Sequence, residues 1–360
     1  ISIYESDILG GQASIQKSKL CNTEICWRAF GSHYNNLSSI MEKLNVGDNF
    51  YSIAQGDVCM NNKEYSAVAG WDNTYTLINN ILSNNNINQL SKIINVLFLC
   101  KDRAINEYHD IYTFDYYKNK FIDKIIGPIY GLEPKKTTLS ALYKFNYSVF
   151  DTQTRNNTKI HGLTKYPTSE VLFNPWKKYL EDKKVKIYEN YKLDDIITDK
   201  NGKIVNVSIN NKQYTGDEIV FACSIHPLIT IFNNNIQLKN TLINKRINIL
   251  GTGQQLYISV NFYWKQNIIK DRECHTYVFM NGWMPFIIKR FINTDYVSDN
   301  CNPNIKEVWN IAPANFLKGN YVKKFVNQCS FEEIIYELKM NIMNSEHFKN
   351  YFDFKNNTWD

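Results

Sequence analysis

The sequence predicts an α/β chain, and three stretches carry that prediction. Residues 1–5 alternate like the end of a β-strand, reach Glu5, and run on to the pair Gly10-Gly11. Between 167 and 232 a helical pattern leads into an alternating strand, then a hairpin, then a wholly apolar run. Residues 256–264 form a further long apolar and aromatic strand. A helix feeding a strand in this way builds a layered α/β domain and not a helix bundle.

Taken in order, residues 38–44 read as a helix, with Ile40, Met41 and Leu44 on one face. Residues 75–99 are again helical in pattern, interrupted at Asn84-Asn85-Asn86, and 102–157 read as an aromatic, mainly helical region. In the next helix, Thr168-Ser169-Glu170 offer a cap with an early acidic residue. Val171, Leu172, Trp176, Tyr179 and Leu180 supply its apolar face, and Lys183-Lys184 mark its end. Residues 185–188 alternate as a strand, and 203–209 form another, entered through Asn201-Gly202, the signature of a type I′ turn. The run Ile219-Val220-Phe221-Ala222 reads as a strand buried on both faces. Residues 331–343 form an amphipathic helix capped by Ser330, with Glu332 and Glu333 in the first turn.

Composition removes several functions. The 41 Lys and Arg against 35 Asp and Glu give +6 over 360 residues, without the basic patch or arm that a nucleic-acid binder concentrates. No uncharged apolar run approaches the ~18 residues of a membrane-crossing helix, and the start has no signal-peptide core, so a cytoplasmic chain is expected. The eight cysteines include no CxxC pair, and Cys21, Cys26 and Cys274 are expected to be structural, behaving as small buried hydrophobes. The six histidines show no metal-ligand spacing, so no metal is expected. Gly251-Thr252-Gly253 precedes a strand instead of opening a helix after one, which excludes it as a phosphate loop. No Gly-x-Ser-x-Gly elbow is present for hydrolase chemistry.

Glu5 at the end of its strand, with Gly10-Gly11 beyond, is the informative feature. In a dinucleotide fold such an acid accepts hydrogen bonds from ribose hydroxyls, and glycines let the backbone approach a pyrophosphate. The next segments extend the pattern: Glu24, Phe30, Tyr34 and Asn36 follow, and later Pro175, Tyr179-Leu180, Leu193, Ile196, Gly202, Val205 and the stretch 217–222. These two blocks resemble the flavin-dependent amine oxidase and phytoene desaturase superfamily. There a Glu-ended strand and Gly-Gly turn precede a Glu-x-Gly-x-His-x-Phe stretch, and a later block ends in an Asp-x-Val-Ile-x-Ala strand.

The resemblance implies an FAD-binding, Rossmann-like α/β domain with an interleaved α+β substrate domain. The FAD domain takes residues 1–45 and 165–262, and the substrate domain takes 46–164 and 263–360. Glu5 would hold the adenosine ribose, and Gly10 and Gly11 would lie against the pyrophosphate. The backbone of Leu193 would contact adenine, with Gln12, Arg28 and Ala222 at the remaining cofactor-binding positions. Lys265, directly after the long strand, matches the lysine that in the amine oxidase branch holds a water near flavin N5. The implied partner is a small amine or an apolar, isoprenoid-like substrate, in a pocket to which Trp264, Trp283 and Phe286 contribute. Departures from the family are Ser6 and Gln12 at basic positions, Cys26 for glycine, Arg28 for histidine and Ser224 for proline. The first strand with its Gly-x-Gly-x-x-Gly turn and the C-terminal flavin segment have no counterpart, and the chain begins at Ile1. The expectation is therefore a chain truncated at both ends. The competing class is a truncated, non-catalytic homologue that serves as a binding or scaffold protein.

Overall fold

A computed structural model describes residues 1–26, 30, 34–51, 55–60, 63–65, 162–252, 258–268, 274–279, 282–283, 285–292, 296–298, 300–314, 317–345 and 348. In chain order the strands are β1 (Ser2–Glu5), β2 (Ile15–Gln16), β3 (Thr23–Glu24), β4 (Phe50–Tyr51), β5 (Gln55–Met60), β6 (Lys63–Tyr65), β7 (Leu163–Thr164) and β8 (Lys186–Glu189). They continue with β9 (Leu193–Thr198), β10 (Ile204–Ile209), β11 (Lys212–Tyr214), β12 (Val260–Trp264), β13 (Cys274–Phe279), β14 (Phe286–Phe291) and β15 (Glu307–Ala312). The helices are α1 (Asn35–Leu44), α2 (Asn174–Asp182), α3 (Ile225–Asn234), α4 (Leu242–Thr252) and α5 (Phe331–Met343). The chain divides into two compact units, one of Ile1–Ser14 with Phe173–Gln255, the other of Ile15–Leu172 with Leu256–Asp360.

The first unit is built on β1 and β8, paired in parallel and in register from Ser2↔Lys186 to Glu5↔Glu189. Pro at the start of α2 suits a position whose N–H has no helical partner. A three-stranded antiparallel sheet, β11-β10-β9, accompanies the parallel pair. Ile196, Ile231, Phe232 and Leu238 form its apolar core, with Leu193, Ile204 and Phe221 packed against them. Tyr4 stacks on Tyr188 with ring centroids 5.0 Å apart and also touches the rings of Tyr191 and Tyr214. These partly buried rings fill the step between the parallel pair and β11. The desolvation they share raises the Tyr4 phenol above its ordinary range.

One expected element of this unit does not form. Residues 219–222 are irregular backbone, Val220 is 84% exposed and Ala222 is exposed. An apolar run favours burial but does not supply a ladder partner, and no described strand pairs with this segment. The hairpin between β9 and β10 also differs from a type I′ turn. Gly202 has φ 79° and donates to the Asp199 carbonyl at 3.0 Å, while Asn201 keeps a negative φ. The type I′ conformation appears one hairpin later, at Asn210 (φ 48°) and Asn211 (φ 59°) between β10 and β11.

The second unit is organised by a six-stranded mixed sheet of order β12-β15-β14-β13-β5-β6, in which only β13 and β5 run parallel. Every residue of β15 is buried, the pattern of a central strand covered on both faces. On one face, Tyr277, Phe279, Trp283, Ile287, Trp309 and Phe348 pack with Ile334, Leu338 and Ile342 of α5. On the other, Ile288, Ile292, Tyr296 and Val308 pack with Cys21 and Leu163. Cys21 is not a free hydrophobe, because a disulfide joins it to Cys301 across 280 residues of sequence. Spacing along the chain could not reveal a pairing over that distance. Helix α5 begins with the expected capping box, Ser330 and Glu333 each accepting from the other's backbone N–H. The expected helices at 75–99 and 102–157 lie outside the described residues. Among the described residues no helix is long and apolar enough to cross a membrane, and no three His, Cys, Asp or Glu side chains gather into a metal-holding group.

Candidate functional site

The carboxyl ends of β1 and β8 bring together part of what the sequence singled out. Glu5, half-buried at the end of β1, accepts from Ser6 Oγ at 3.2 Å and from the Asp7 N–H at 3.3 Å. Its backbone carbonyl accepts from the Tyr191 N–H at 2.8 Å, two residues before Leu193, so the start of β9 is tied to the end of β1. The chain then turns through Gly10, with φ 103°, and Gly11, with φ 48°, into a short 3-10 turn Gly11–Ala13. Positive φ at two successive residues is strained for any side chain, which explains the glycine pair.

The two glycines serve different purposes. A Cβ on Gly10 would lie 2.5 Å from the Phe173 ring, so the missing side chain there makes room for that ring. A Cβ on Gly11 would meet nothing within 4 Å, leaving bare backbone open to a closely approaching group. Gly11 is thus the residue of the pair with open space where a side chain would stand, while its own N–H and carbonyl are bonded to Ile8 and Ser14.

A residue that pattern reading missed completes the turn. Glu189, the register partner of Glu5, accepts from the Leu9 N–H through Oε1 at 2.8 Å and from Lys177 Nζ through Oε2 at 2.8 Å. The hydrogen bond from Lys177, with that from Leu9 behind it, holds the Glu189 carboxyl below its ordinary range. The same pairing holds the Lys177 ammonium above its own. The Asn190 N–H donates to the Asp7 carbonyl at 2.9 Å, a second tie between the loops after β1 and β8. Glu189 sits at the end of a half-exposed strand, and its partner Leu9 is 180 residues away, so no local signal marks it.

The other predicted residues are placed as follows. Gln12 lies in the 3-10 turn beyond Gly11, and Leu193 opens β9 opposite Ile209. Ala222 sits in the exposed irregular segment, with no described contact to the Glu5 turn, and Arg28 lies outside the described residues. Lys265 follows β12 and is exposed, in the second unit. Trp283 is fully buried in the apolar core, its Nε1 donating to the Lys324 carbonyl at 2.9 Å.

The second unit has a buried polar network of its own. Glu24, 1% exposed, accepts from the Thr168 N–H at 2.7 Å. Arg290, fully buried, donates to the Thr164 carbonyl and lies over the Tyr296 ring at 4.9 Å. Burial, with Glu24 nearby, pushes the Tyr296 hydroxyl well above its ordinary range. Tyr296 donates to the Asn22 carbonyl, while Asn261 donates to Thr23 Oγ1 at 3.2 Å and to the Glu24 carbonyl at 3.3 Å. These groups anchor residues 22–24 and β7 within the unit.

No family model matches the chain, and no curated protein matches it in sequence. Among solved structures it is similar to an oxidoreductase from Methanosarcina mazei, with TM-score 0.62 and 10% identity over 97% of this chain and 79% of that one. It is similar to cyclohexylamine oxidase from Brevibacterium oxydans IH-35A, with TM-score 0.57 and 11% identity over 94% and 74%. It is also similar to a protein assigned as a protoporphyrinogen oxidase from Exiguobacterium sp. 255-15, with TM-score 0.56 and 12% identity over 95% and 76%. At these identities the likeness is one of fold. The chain shares the mixed α/β fold of these three structures.

Proposed function

We propose that this chain is an FAD-dependent oxidoreductase, taking a hydride from a C–H beside nitrogen or desaturating an apolar chain. The observation that carries the reading is Glu5 at the carboxyl end of a parallel strand, followed by a glycine turn with open space at the Gly11 Cβ position. Ligands of open α/β sheets bind at the carboxyl ends of the strands, and this acid and turn are the parts such binding needs. The fold shared with three oxidoreductases over most of the chain agrees with it.

In this reading Glu5 accepts from the ribose hydroxyls, and Gly11 lets the backbone lie against the pyrophosphate. Leu193 borders the adenine through its backbone, with Gln12, Arg28 and Ala222 at the outer positions. FAD, when bound, supplies the hydride-accepting ring, and the protein contributes orientation and exclusion of water. Lys265 is the candidate to hold a water at the reacting end. The domain division proposed is 1–45 with 165–262 for the cofactor, and 46–164 with 263–360 for a small amine or apolar substrate.

The test is anaerobic. FAD-loaded protein is mixed in turn with primary amines, secondary amines and saturated isoprenoid chains while the flavin absorbance is followed. Bleaching by one class supports the reading and names the substrate. Loaded protein that none of them bleaches favours the non-catalytic alternative.

A further inference from the structure

We infer that Glu189, backed by Lys177, is the positioning residue that shapes the Glu5–Gly11 turn for the dinucleotide. This inference rests on the FAD reading above. Before Gly10 the turn's internal bonds are Ser6 Oγ and the Asp7 N–H on Glu5 and the Gly11 N–H on the Ile8 carbonyl at 3.0 Å, while the glycine carbonyls accept from Ala13 and Ser14 further on. Residue 9, immediately before the left-handed Gly10, is held from outside by the Glu189 carboxylate at 2.8 Å.

The arrangement is a relay along one unit. Lys177 lies one helical turn into α2, Glu189 ends β8, and Leu9 enters the glycine pair. A carboxylate at this point carries a cost, since its partial burial removes water from the charged form. Lys177 at 2.8 Å offsets that charge and fixes the carboxylate, leaving Oε1 directed at the Leu9 N–H. The pair is about one-third exposed, 31% for each side chain, so its contribution to global stability is small. Its effect falls on the local backbone: without an acceptor at Leu9, the approach to Gly10 is free to relax, and the ligand must order it on binding.

The experiment uses the full chain and two probes, FAD and adenosine diphosphate, titrated calorimetrically against wild type, Glu189→Ala, Glu189→Gln and Lys177→Met. Glu189→Ala is expected to bind both probes about tenfold more weakly, the scale of one charge-assisted hydrogen bond. Glu189→Gln, which keeps an acceptor for Leu9, should recover most of that loss, and Lys177→Met should lie between them. Thermal midpoints should stay close to wild type throughout, which separates positioning from a general structural role. Wild type that binds both probes while Glu189→Ala binds them equally well overturns this inference and leaves the FAD reading standing. Wild type that binds neither probe overturns the FAD reading itself. Weaker binding matched by an equal fall in the thermal midpoint assigns Glu189 to stability alone.

Discussion

The glycine turn of the first unit and the sheet–helix core of the second are held by opposite means. In the second unit Trp309 is fully buried, touches the Trp264 and Phe348 rings at centroid distances of 5.0 and 5.2 Å, and donates to Glu307 Oε2 at 2.9 Å. That region is stabilised by apolar area removed from water and by close packing. The turn at Glu5–Gly11 has no such core. It is a half-exposed loop shaped by two positive-φ glycines, the Phe173 ring and a carboxylate reaching across from β8. A packed core resists change, whereas a loop held by a few polar bonds can tighten around a ligand.

The comparison can be broken from either side. Trp309→Ala should be the most damaging change, destabilising the second unit by about 4 kcal/mol through lost packing and the loss of the indole N–H donor to Glu307, read as a fall in the denaturant midpoint. Glu337→Ala should cost about 3 kcal/mol by the same measurement. Its buried carboxylate accepts from the backbone N–H groups of Asn320, Tyr321 and Val322 at 2.5, 2.7 and 2.9 Å, and all three would lose their acceptor. Gly10→Ala should cost about 2 kcal/mol, because φ 103° and the Phe173 ring both oppose a side chain. Ser330→Ala should cost about 1 kcal/mol, the value of one helix cap, seen as earlier fraying of α5 in hydrogen exchange.

The smallest effect concerns pH. The Glu189 carboxyl is lowered in the folded chain, so its contribution to stability is present above the unfolded carboxylate value of about 4.3 and is lost as pH falls through the folded value. Replacing Lys177 by Met should narrow that acid window by at most about 1 kcal/mol, measured as the difference between two acid-unfolding curves.

Legibility in the sequence followed the range of the cause. Strand β1, the body of helix α2, strand β8 and helix α5 could be read because alternation, helical period and capping are local properties, whereas the start expected at 168–170 is a π-helical turn, Ser169–Phe173, leading into an uncapped α2. Glu5 and Gly10-Gly11 could be read because a strand end and a turn are also local. Glu189, Glu337 and Cys21–Cys301 could not, since each depends on a partner brought in by the fold. The Asn201-Gly202 hairpin shows a subtler limit. Asp199 accepts from the Asn201 and Lys203 N–H groups and so selects a different turn from the one the dipeptide favours. The apolar run at 219–222 packs through Phe221 but leaves Val220 exposed, since no described strand pairs with it.

The central claim is that the turn from Glu5 to Gly11 receives the dinucleotide. Titrating purified wild type and Glu5→Ala with FAD, following flavin fluorescence, tests it most directly. The account predicts saturable one-to-one quenching for wild type and binding at least about tenfold weaker for Glu5→Ala, the loss of a charge-assisted acceptor. Quenching that never saturates, or a Glu5→Ala curve that overlays wild type, would contradict it.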